Sequence, residues 1–319
     1  MAVHLAFLIT VCLESVRSIN TGIRGTGPWL AMLLGVKTER GADIMHIETL
    51  EIGDTIVRVS GAGQPLVFVH GFTTTAEFWR GQVEAFSSRY KVIRINLPGH
   101  GVSPRPAGRS YTIDAFANDV LQVFRKLDIR QAVLVGLSMG GTIAQSFTLA
   151  HPERVQALVL VGATPHGLGE DVNVDNVLKA IDDLGVVQAS QNVIDRSFGS
   201  AASQELLNFA RQEVAQTPDF VAREAIASLN ASDSRSRLGD IRVPTLVVVG
   251  NEDIITPPAE SVILAEGIPD SRLEVVENAG HFPMLEQPHK FNEMLAAFLR
   301  ACEDPVSQAS GQGLSQHAI

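Results

Sequence analysis

The sequence is short of cysteine and of basic charge. Of its 319 residues only two are cysteines, Cys12 and Cys302, and they lie near opposite ends of the chain. Two cysteines so far apart indicate neither a disulfide framework nor a metal cluster. Lysine and arginine number 25 against 35 acidic residues, which gives a formal net charge of -10. Nucleic acids and anionic membrane surfaces need a basic footprint, so we expect neither as a partner.

Long apolar runs are also missing. The stretches 5–13 and 28–36 are apolar, but both are shorter than the ~20 residues that a membrane-spanning helix needs. No lysine or arginine precedes the first run and no clear small-residue cleavage site follows it, as a secretory signal would require. Because strand-like sequence begins only at Met45, we interpret residues 1–44 as an N-terminal extension, either an over-called start or a targeting segment. We expect a cytoplasmic protein and leave secretion by an atypical signal open.

What the chain does contain is a regular alternation of strand and helix patterns after Ile47. The predicted strands are 55–59, 65–69, 90–96, 132–137, 157–161, 245–249 and 273–276. Most of them are continuous apolar runs, which are typical of strands covered by helices on both faces. Apolar residues at helical spacing mark 113–127 and 291–299 between and after them. The sequence therefore predicts an α/β fold built on a mostly parallel sheet.

The alternation stops between about Pro165 and Asp240. Helical patterns occur there at 177–184, 205–214 and 220–229, without a convincing strand, and the strand pattern returns after Val243. We interpret this stretch as a helical insertion into a single α/β domain. The predicted organisation is a core formed by residues 45–164 and 241–301, a helical cap at 165–240, and a polar, disordered tail at 302–319.

The strongest chemical signal is the run from Gly136 to Gly141, GLSMGG, between an apolar strand and a helical pattern. A serine in G-x-S-x-G in this context lies on a strained turn that raises its hydroxyl above the sheet. Glycine is required at 136 and 140 because a side chain there would collide as strand and helix close together. The helix also directs its positive N-terminal end at the site. Ser138 is therefore the candidate nucleophile. The alternative interpretation is an ordinary glycine-rich turn, which would not need to lie between an apolar strand and a helix.

A second signal is His70-Gly71-Phe72, which directly follows an apolar strand. In folds with such a serine turn, this loop supplies one N–H of the oxyanion hole, and the residue after the nucleophile supplies the other. The backbone amides of Phe72 and Met139 are the candidate donors. One such donor can contribute about 3 kcal/mol to transition-state stabilisation. We interpret His70 as a structural hydrogen-bonding residue, since it precedes the serine and another histidine fits the base better.

Two more signals follow later strands, GNED at 250–253 and AGHFP at 279–283. An acid at the C-terminal end of a parallel strand faces the edge of the sheet at which Ser138 lies. His281 then completes the chain order serine, acid, histidine that this type of fold requires. On physical grounds alone, Glu252 and Asp253 are nearly equal candidates for the acid.

These segments carry a family resemblance. HGF, NLPGHGVS, GLSMGG, GNEDIITPP and AGHFPMLEQP resemble the α/β-hydrolase superfamily from roughly Ile47 to Arg300, and within it the branch of small esterases and lactonases that includes 3-oxoadipate enol-lactonases. The resemblance implies an eight-stranded sheet, a helical cap over the site and no cofactor or metal, and its spacing selects Asp253 as the acid. Asn96 departs from the family, which usually has aspartate there in a turn. Serine at position 138 argues against haloalkane dehalogenases and epoxide hydrolases, whose nucleophile is aspartate.

The sequence thus predicts a hydrolase that cleaves a carboxylic ester or lactone of a small molecule. Ser138 would form the acyl-enzyme, His281 would be the base and Asp253 would orient it. Three alternatives stay open: a C–C bond hydrolase of vinylogous diketones, an acyltransferase, and a small-ligand receptor built on the same triad. The expected partner is the substrate alone, with a homodimer left open.

The predicted cap offers candidate pocket residues. Its large apolar side chains could shape an acyl pocket and exclude water, although packing between helices is the favoured interpretation for them. These residues are Leu184, Phe198, Phe209 and Phe220.

Overall fold

We analysed a computed structural model that describes residues 46–169 and 173–303. The interpretation of residues 1–44 as an extension therefore falls outside the described residues, as does the tail from Asp304 onward. The predicted start of the tail at Cys302 is two residues too early, because Cys302 and Glu303 belong to the last helix. Cys302 packs on the core, and the Glu303 carboxylate accepts a hydrogen bond of 2.6 Å from the Tyr90 hydroxyl, which stabilises this last turn.

Eight strands form one sheet in the order β1-β2-β4-β3-β5-β6-β7-β8. Only the pairings of β1 with β2 and of β2 with β4 are antiparallel, and the remaining pairings are parallel. The prediction of a mostly parallel eight-stranded sheet is confirmed. The strands are β1 (Ile47–Ile52), β2 (Thr55–Ser60), β3 (Gln64–Val69), β4 (Tyr90–Asn96), β5 (Ala132–Leu137), β6 (Val155–Val161), β7 (Thr245–Gly250) and β8 (Ser271–Val276).

Helices cover both faces of this sheet. Every residue of β5 is buried, and alternate residues of β3 face opposite sides, with Val67 and Val69 in one apolar cluster and Leu66 and Phe68 in the other. This two-sided burial explains why the central strands are continuous apolar runs. The helices are α1 (Arg80–Phe86), α2 (Ile113–Lys126), α3 (Met139–Ala150), α4 (Val174–Ser197), α5 (Gln204–Val214), α6 (Asp219–Ala231), α7 (Pro258–Gly267), α8 (Pro283–Glu286) and α9 (Pro288–Glu303).

The connection between β6 and β7 contains α4, α5 and α6, and we call its residues 173–240 the helical segment. These three helices contain the three helical stretches predicted there. Helix α4 is interrupted at Gly185, whose φ of 76° and ψ of 156° are not helical. Glycine adopts this backbone conformation without steric cost, so the two halves of α4 can run in different directions. In the described ranges, no helix combines the length and apolar character that crossing a bilayer would require.

Candidate active site

Ser138 lies in the sharp turn between β5 and α3. Its φ of 52° and ψ of −119° place it in a region that residues with a side chain rarely occupy. The surrounding backbone holds this conformation, since the N–H of Ser138 donates to the carbonyl of Val161 at 2.8 Å and its own carbonyl accepts from Gly141 at 2.7 Å. The strained turn presents the half-buried side chain to a cavity above the sheet.

The glycines beside Ser138 are required by close backbone packing. A Cβ at Gly136 would lie 2.3 Å from the carbonyl oxygen of Gly140. A Cβ at Gly140 would lie 2.5 Å from the carbonyl oxygens of both Val69 and His70. Such distances exclude any side chain, so the turn can bring β3, β5 and α3 together only with glycine at these two positions.

The loop after β3 lies against the serine turn. A Cβ at Gly71 would be 3.2 Å from the Cβ of Ser138. The loop is closed by Thr74, whose N–H and hydroxyl donate to the Gly71 carbonyl at 3.3 and 3.0 Å. Phe72 and Met139 both line the cavity beside Ser138. Within the described part of the chain the backbone N–H groups of these two residues donate to no protein acceptor, so both are free to bind an oxygen of a ligand.

His70 has a structural environment. It is fully buried, its Nε2 accepts the N–H of Leu97 at 3.0 Å, and its Nδ1 lies 2.9 Å from the Gly71 carbonyl oxygen. This pattern places the proton on Nδ1 and ties β4 to the loop that carries Phe72. Burial, and then the neighbouring His100, lower the pKa of His70 well below its usual value. His70 is therefore neutral and holds the loop in place.

Asp253 and His281 form a buried pair at the ends of β7 and β8. The Nδ1 of His281 lies 2.8 Å from Oδ2 of Asp253, and only 4% and 3% of the two residues are exposed. The Oδ1 of Asp253 accepts the N–H groups of Ile255 and Thr256 at 2.9 Å each, and its Oδ2 accepts the Thr256 hydroxyl at 2.8 Å. Burial alone would raise the pKa of Asp253, but His281 and the Thr256 donors outweigh it and lower this pKa. The carboxylate therefore stays ionised next to the imidazole.

Glu252 points away from this pair. Its carboxylate accepts the N–H of Ser200 at 2.6 Å and the Ser200 hydroxyl at 3.2 Å. The two acids of GNED therefore have different partners: Asp253 contacts His281, and Glu252 connects the loop after β7 to the helical segment. Ser200 therefore anchors Glu252.

Three residues around the pair were not identified as functional from the sequence. A Cβ at Gly162, where φ is 50°, would lie 3.0 Å from the His281 Nδ1, so only glycine lets the end of β6 approach the imidazole. Thr256 hydrogen-bonds Asp253 as described above. Glu286 accepts the N–H groups of Gly199 at 2.7 Å, Gly280 at 3.0 Å and Phe282 at 3.1 Å. The one sequence feature that could have indicated Glu286 is its position as an acid in the apolar run after His281.

Glu286 therefore holds the two residues that flank His281 and connects them to the helical segment. The backbone N–H of His281 makes a second connection, since it donates to the Ser197 carbonyl at 2.6 Å. Burial raises the pKa of Glu286; its three backbone donors lower it, Asp253 raises it, and the net shift is upward. The position of His281 thus depends on contacts from both the core and the helical segment.

A cavity of about 520 Å³ opens beside Ser138 and His281. That volume is in the range of small-molecule sites. Its aliphatic lining comes largely from the helical segment, namely Val177, Ala180, Ile181, Val193, Ile194, Ile226 and Leu229. Ile254, which is 65% exposed, contributes to the lining from the loop after β7. Among residues 46–169 and 173–303, no three His, Cys, Asp or Glu side chains cluster in a way that could hold a metal ion.

The four cap residues considered from the sequence do not line this cavity. Leu184 and Phe220 are 51% and 48% exposed. Phe198 packs on Phe282 with ring centroids 5.0 Å apart, and Phe209 packs on Phe78 at 5.6 Å. The pocket interpretation is therefore wrong for these residues, and the aromatic pair contacts agree with the favoured packing interpretation.

The fold and this arrangement define the class of protein. A family model described as the alpha/beta hydrolase fold matches residues 64–180 and 184–288, more than half of the chain. The protein belongs to the α/β-hydrolase family, a family of hydrolytic enzymes, as the resemblance predicted.

Particular relatives include both esterases and lactonases. The chain is 31% identical to a pimeloyl-[acyl-carrier protein] methyl ester esterase of Aeromonas hydrophila, over 75% of this chain and 96% of that protein. It is 30% identical to 3-oxoadipate enol-lactonase 2 of Acinetobacter baylyi, over 79% of this chain and 96% of that one. Among solved structures, it is similar to Est816, an N-acyl homoserine lactone degrading enzyme, with 32% identity, a TM-score of 0.71, and coverage of 79% of this chain and 100% of that chain.

Proposed function

We propose that this protein is a serine hydrolase that cleaves a carboxylic ester or lactone of a small molecule through an acyl-enzyme. The observation that carries the proposal is the 2.8 Å contact between His281 Nδ1 and Asp253 Oδ2, in a cavity wall that also contains Ser138 on its strained turn. Relatives described as an ester hydrolase, an enol-lactonase and a lactone-degrading enzyme support the same bond type.

The first step is activation of the serine. Because Asp253 engages Nδ1 of His281, the proton of the neutral imidazole is held on Nδ1 and Nε2 keeps a free lone pair. Nε2 removes the hydroxyl proton of Ser138 as its oxygen attacks the carbonyl carbon of the substrate. Asp253 then stabilises the imidazolium, and its lowered pKa keeps it charged for this role.

Negative charge develops on the carbonyl oxygen during the attack. The amides of Phe72 and Met139 are our proposed oxyanion-hole donors, supported by their place in the cavity wall and their lack of protein acceptors in the described residues. The N-terminal end of α3 adds a favourable dipole at the same position. Donors fixed in advance need little reorganisation when the charge appears, which makes them effective.

The imidazolium of His281 then protonates the departing alcohol oxygen, and the carbon–oxygen bond breaks to leave the acyl group on Ser138. Water, activated by the same Nε2, hydrolyses this ester and restores the hydroxyl. We propose that the helical segment acts as a cap over these steps. Its aliphatic wall excludes bulk water and binds the apolar part of the substrate.

The proposal is tested by steady-state kinetics on a panel of short p-nitrophenyl esters, lactones and vinylogous diketones. We expect the highest kcat/KM on esters or lactones, and Ser138→Ala should lower kcat by about 10⁴-fold or more while the fold is retained. Circular dichroism and thermal unfolding control for folding. Substantial activity in purified Ser138→Ala would refute the serine mechanism.

The other outcomes separate the alternatives. Preferred cleavage of the diketones would identify a C–C bond hydrolase with the same triad. Product partition toward an added alcohol or thiol in excess of its share against water would identify an acyltransferase. Binding with fewer than one turnover per protein molecule would identify a receptor and would overturn the proposal of an enzyme.

A further inference from the structure

The ionisable side chains in the cavity wall beside Ser138 differ in charge from those of the protein as a whole. The chain has a formal net charge of -10, yet among the described residues the cavity wall contains no aspartate or glutamate. Apart from His281, its one ionisable side chain is Arg196. Arg196 is exposed and lies in the last turn of α4, next to Ser197, the residue whose carbonyl binds the backbone of His281.

Arg196 also differs from the other arginines of the helical segment. Each of those forms an ion pair: Arg211 with Asp195, Arg223 with Asp182, Arg235 with Asp233, and Arg237 with Asp240. Arg196 forms none with the described residues, and its Nε donates to the backbone carbonyl of Asn192 at 3.3 Å. That bond orients the side chain and leaves both terminal nitrogens available to a ligand.

The chemistry of this arrangement selects a substrate class. A guanidinium group presents two parallel N–H donors that match the two oxygens of a carboxylate. Aliphatic side chains from α4 and α6 complete the wall of the same cavity, and such a surface suits a hydrocarbon chain. We propose that the substrate is an ester or lactone that carries a free carboxylate on an aliphatic chain, and that Arg196 binds this carboxylate. The inference rests on the proposed ester or lactone hydrolysis.

A purely structural role for Arg196 makes a different prediction. A cation in the last turn of a helix interacts favourably with the negative end of the helix dipole. If this were its whole role, replacing Arg196 would lower thermal stability and leave substrate selectivity as it is. Substrate selectivity is therefore the readout that distinguishes the two roles.

The test uses matched substrates and matched variants. Monomethyl esters of straight-chain dicarboxylic acids of increasing length are compared with the corresponding methyl esters in which the free carboxylate is replaced by a neutral carboxamide. The ratio of their kcat/KM values is measured for the wild type, Arg196→Gln and Arg196→Lys at physiological ionic strength, where long-range charge effects are screened. Arg130→Gln is the control, because Arg130 is also exposed but lies before β5, at the opposite end of that strand from Ser138.

We expect the wild type to prefer the carboxylate at one chain length, and Arg196→Gln to lower this ratio about fivefold to tenfold, mainly through KM. Arg196→Lys should restore part of the preference, and Arg130→Gln should leave the ratio unchanged. A wild-type ratio at or below one, or an equal ratio in Arg196→Gln, would overturn the carboxylate assignment alone. Absence of hydrolysis of every ester and lactone by the wild type would instead overturn the proposed function.

Discussion

The α/β core and the helical segment contribute to the same cavity in different ways. The core supplies Ser138, Asp253 and His281 from turns that follow parallel strands, and each of these turns is fixed by backbone hydrogen bonds or by close-packed glycines. The helical segment supplies aliphatic side chains and Arg196 from the faces of α4 and α6. The proposed chemistry thus depends on a few polar atoms held in place, whereas the proposed selectivity depends on the shape and charge of a surface.

The two regions also meet through specific polar contacts rather than through packing alone. Glu286 and Glu252 of the core bind backbone N–H groups at Gly199 and Ser200, directly after α4. The carbonyl of Ser197 binds the backbone of His281. A shift of the helical segment would therefore move His281, the proposed base. The proposed division between chemistry in the core and selectivity in the helical segment can be tested by changing these contacts.

The sharpest test of the core is the pair of acids in the loop after β7. Asp253→Asn keeps the shape but offers an amide to His281, which favours the wrong imidazole tautomer. By analogy with serine proteases, kcat should fall on the order of 10⁴-fold with little change in KM. Glu252→Gln, the matched neighbour, should lower kcat less than about tenfold. Steady-state kinetics of both variants on one ester decide the matter, and the reverse order of effects would move the acid role to Glu252.

Glu286→Gln tests whether the contact between the regions supports the base. The amide can accept from only part of the three backbone N–H groups that the carboxylate holds, and its own NH₂ would face the remaining donors. We expect kcat to fall about 10- to 100-fold, with KM affected less, on the order of 1.4 to 2.7 kcal/mol in barrier. Kinetics and thermal unfolding are measured together. Loss of stability without loss of kcat would show that Glu286 only connects the regions.

Acid should destabilise the core through its buried histidines. Burial lowers the pKa of His100 to about 4, although the Pro98 carbonyl raises it slightly, whereas an unfolded histidine titrates near 6.5. Between these values the unfolded chain binds a proton that the folded chain does not, so stability falls as the pH falls. His100 alone should cost about 2 kcal/mol at pH 5 relative to pH 8, and His70 acts in the same direction.

Urea denaturation at the two pH values measures this loss. His100→Gln removes one of the two groups and should reduce the difference in unfolding free energy between pH 8 and pH 5. An unchanged pH dependence in that variant would mean that His100 takes up a proton in the folded core.

The smallest effect is expected in the helical segment. Ile181 is 3% exposed and lines the cavity, so Ile181→Val should enlarge the acyl pocket and shift the preference toward longer acyl chains about two- to fivefold. Leu184→Val is the control, because Leu184 lies on the same helix outside the cavity wall. Relative kcat/KM values on esters of increasing chain length show the shift. An equal shift in both variants would point to a general effect on α4 rather than to the pocket.

The fold and the location of the candidate site could be predicted from the sequence because local patterns indicate both. Continuous apolar runs marked the strands that are buried on both faces, and parallel strands end at one edge of the sheet. The motifs that follow β3, β5, β7 and β8 therefore had to lie near one another. The glycines at 136 and 140 were also informative, because close contacts between adjacent elements leave no space for a side chain at these two positions.

Other features required the tertiary structure. Glu252 and Asp253 are neighbours of the same charge, and the family resemblance alone favoured Asp253. The physical distinction comes from the path of the chain after β7, which places the N–H groups of Ile255 and Thr256 around one carboxylate and Ser200 beside the other. Gly162 was missed because it approaches His281 from a distant segment, and Glu286 because its contact with Gly199 joins segments that are far apart in the sequence.

The sequence by itself determined the α/β architecture, the serine turn and the order of the candidate triad, because these depend on spacing along the chain. The tertiary structure alone decided which faces of α4 and α6 line the cavity. Helical periodicity shows that a helix has an apolar side but not what that side contacts, and the break at Gly185 changes the direction of α4. The helical segment therefore lines the cavity with Val177, Ile181, Ile226 and their neighbours, whereas its Phe198, Phe209 and Phe220 contact other aromatic rings.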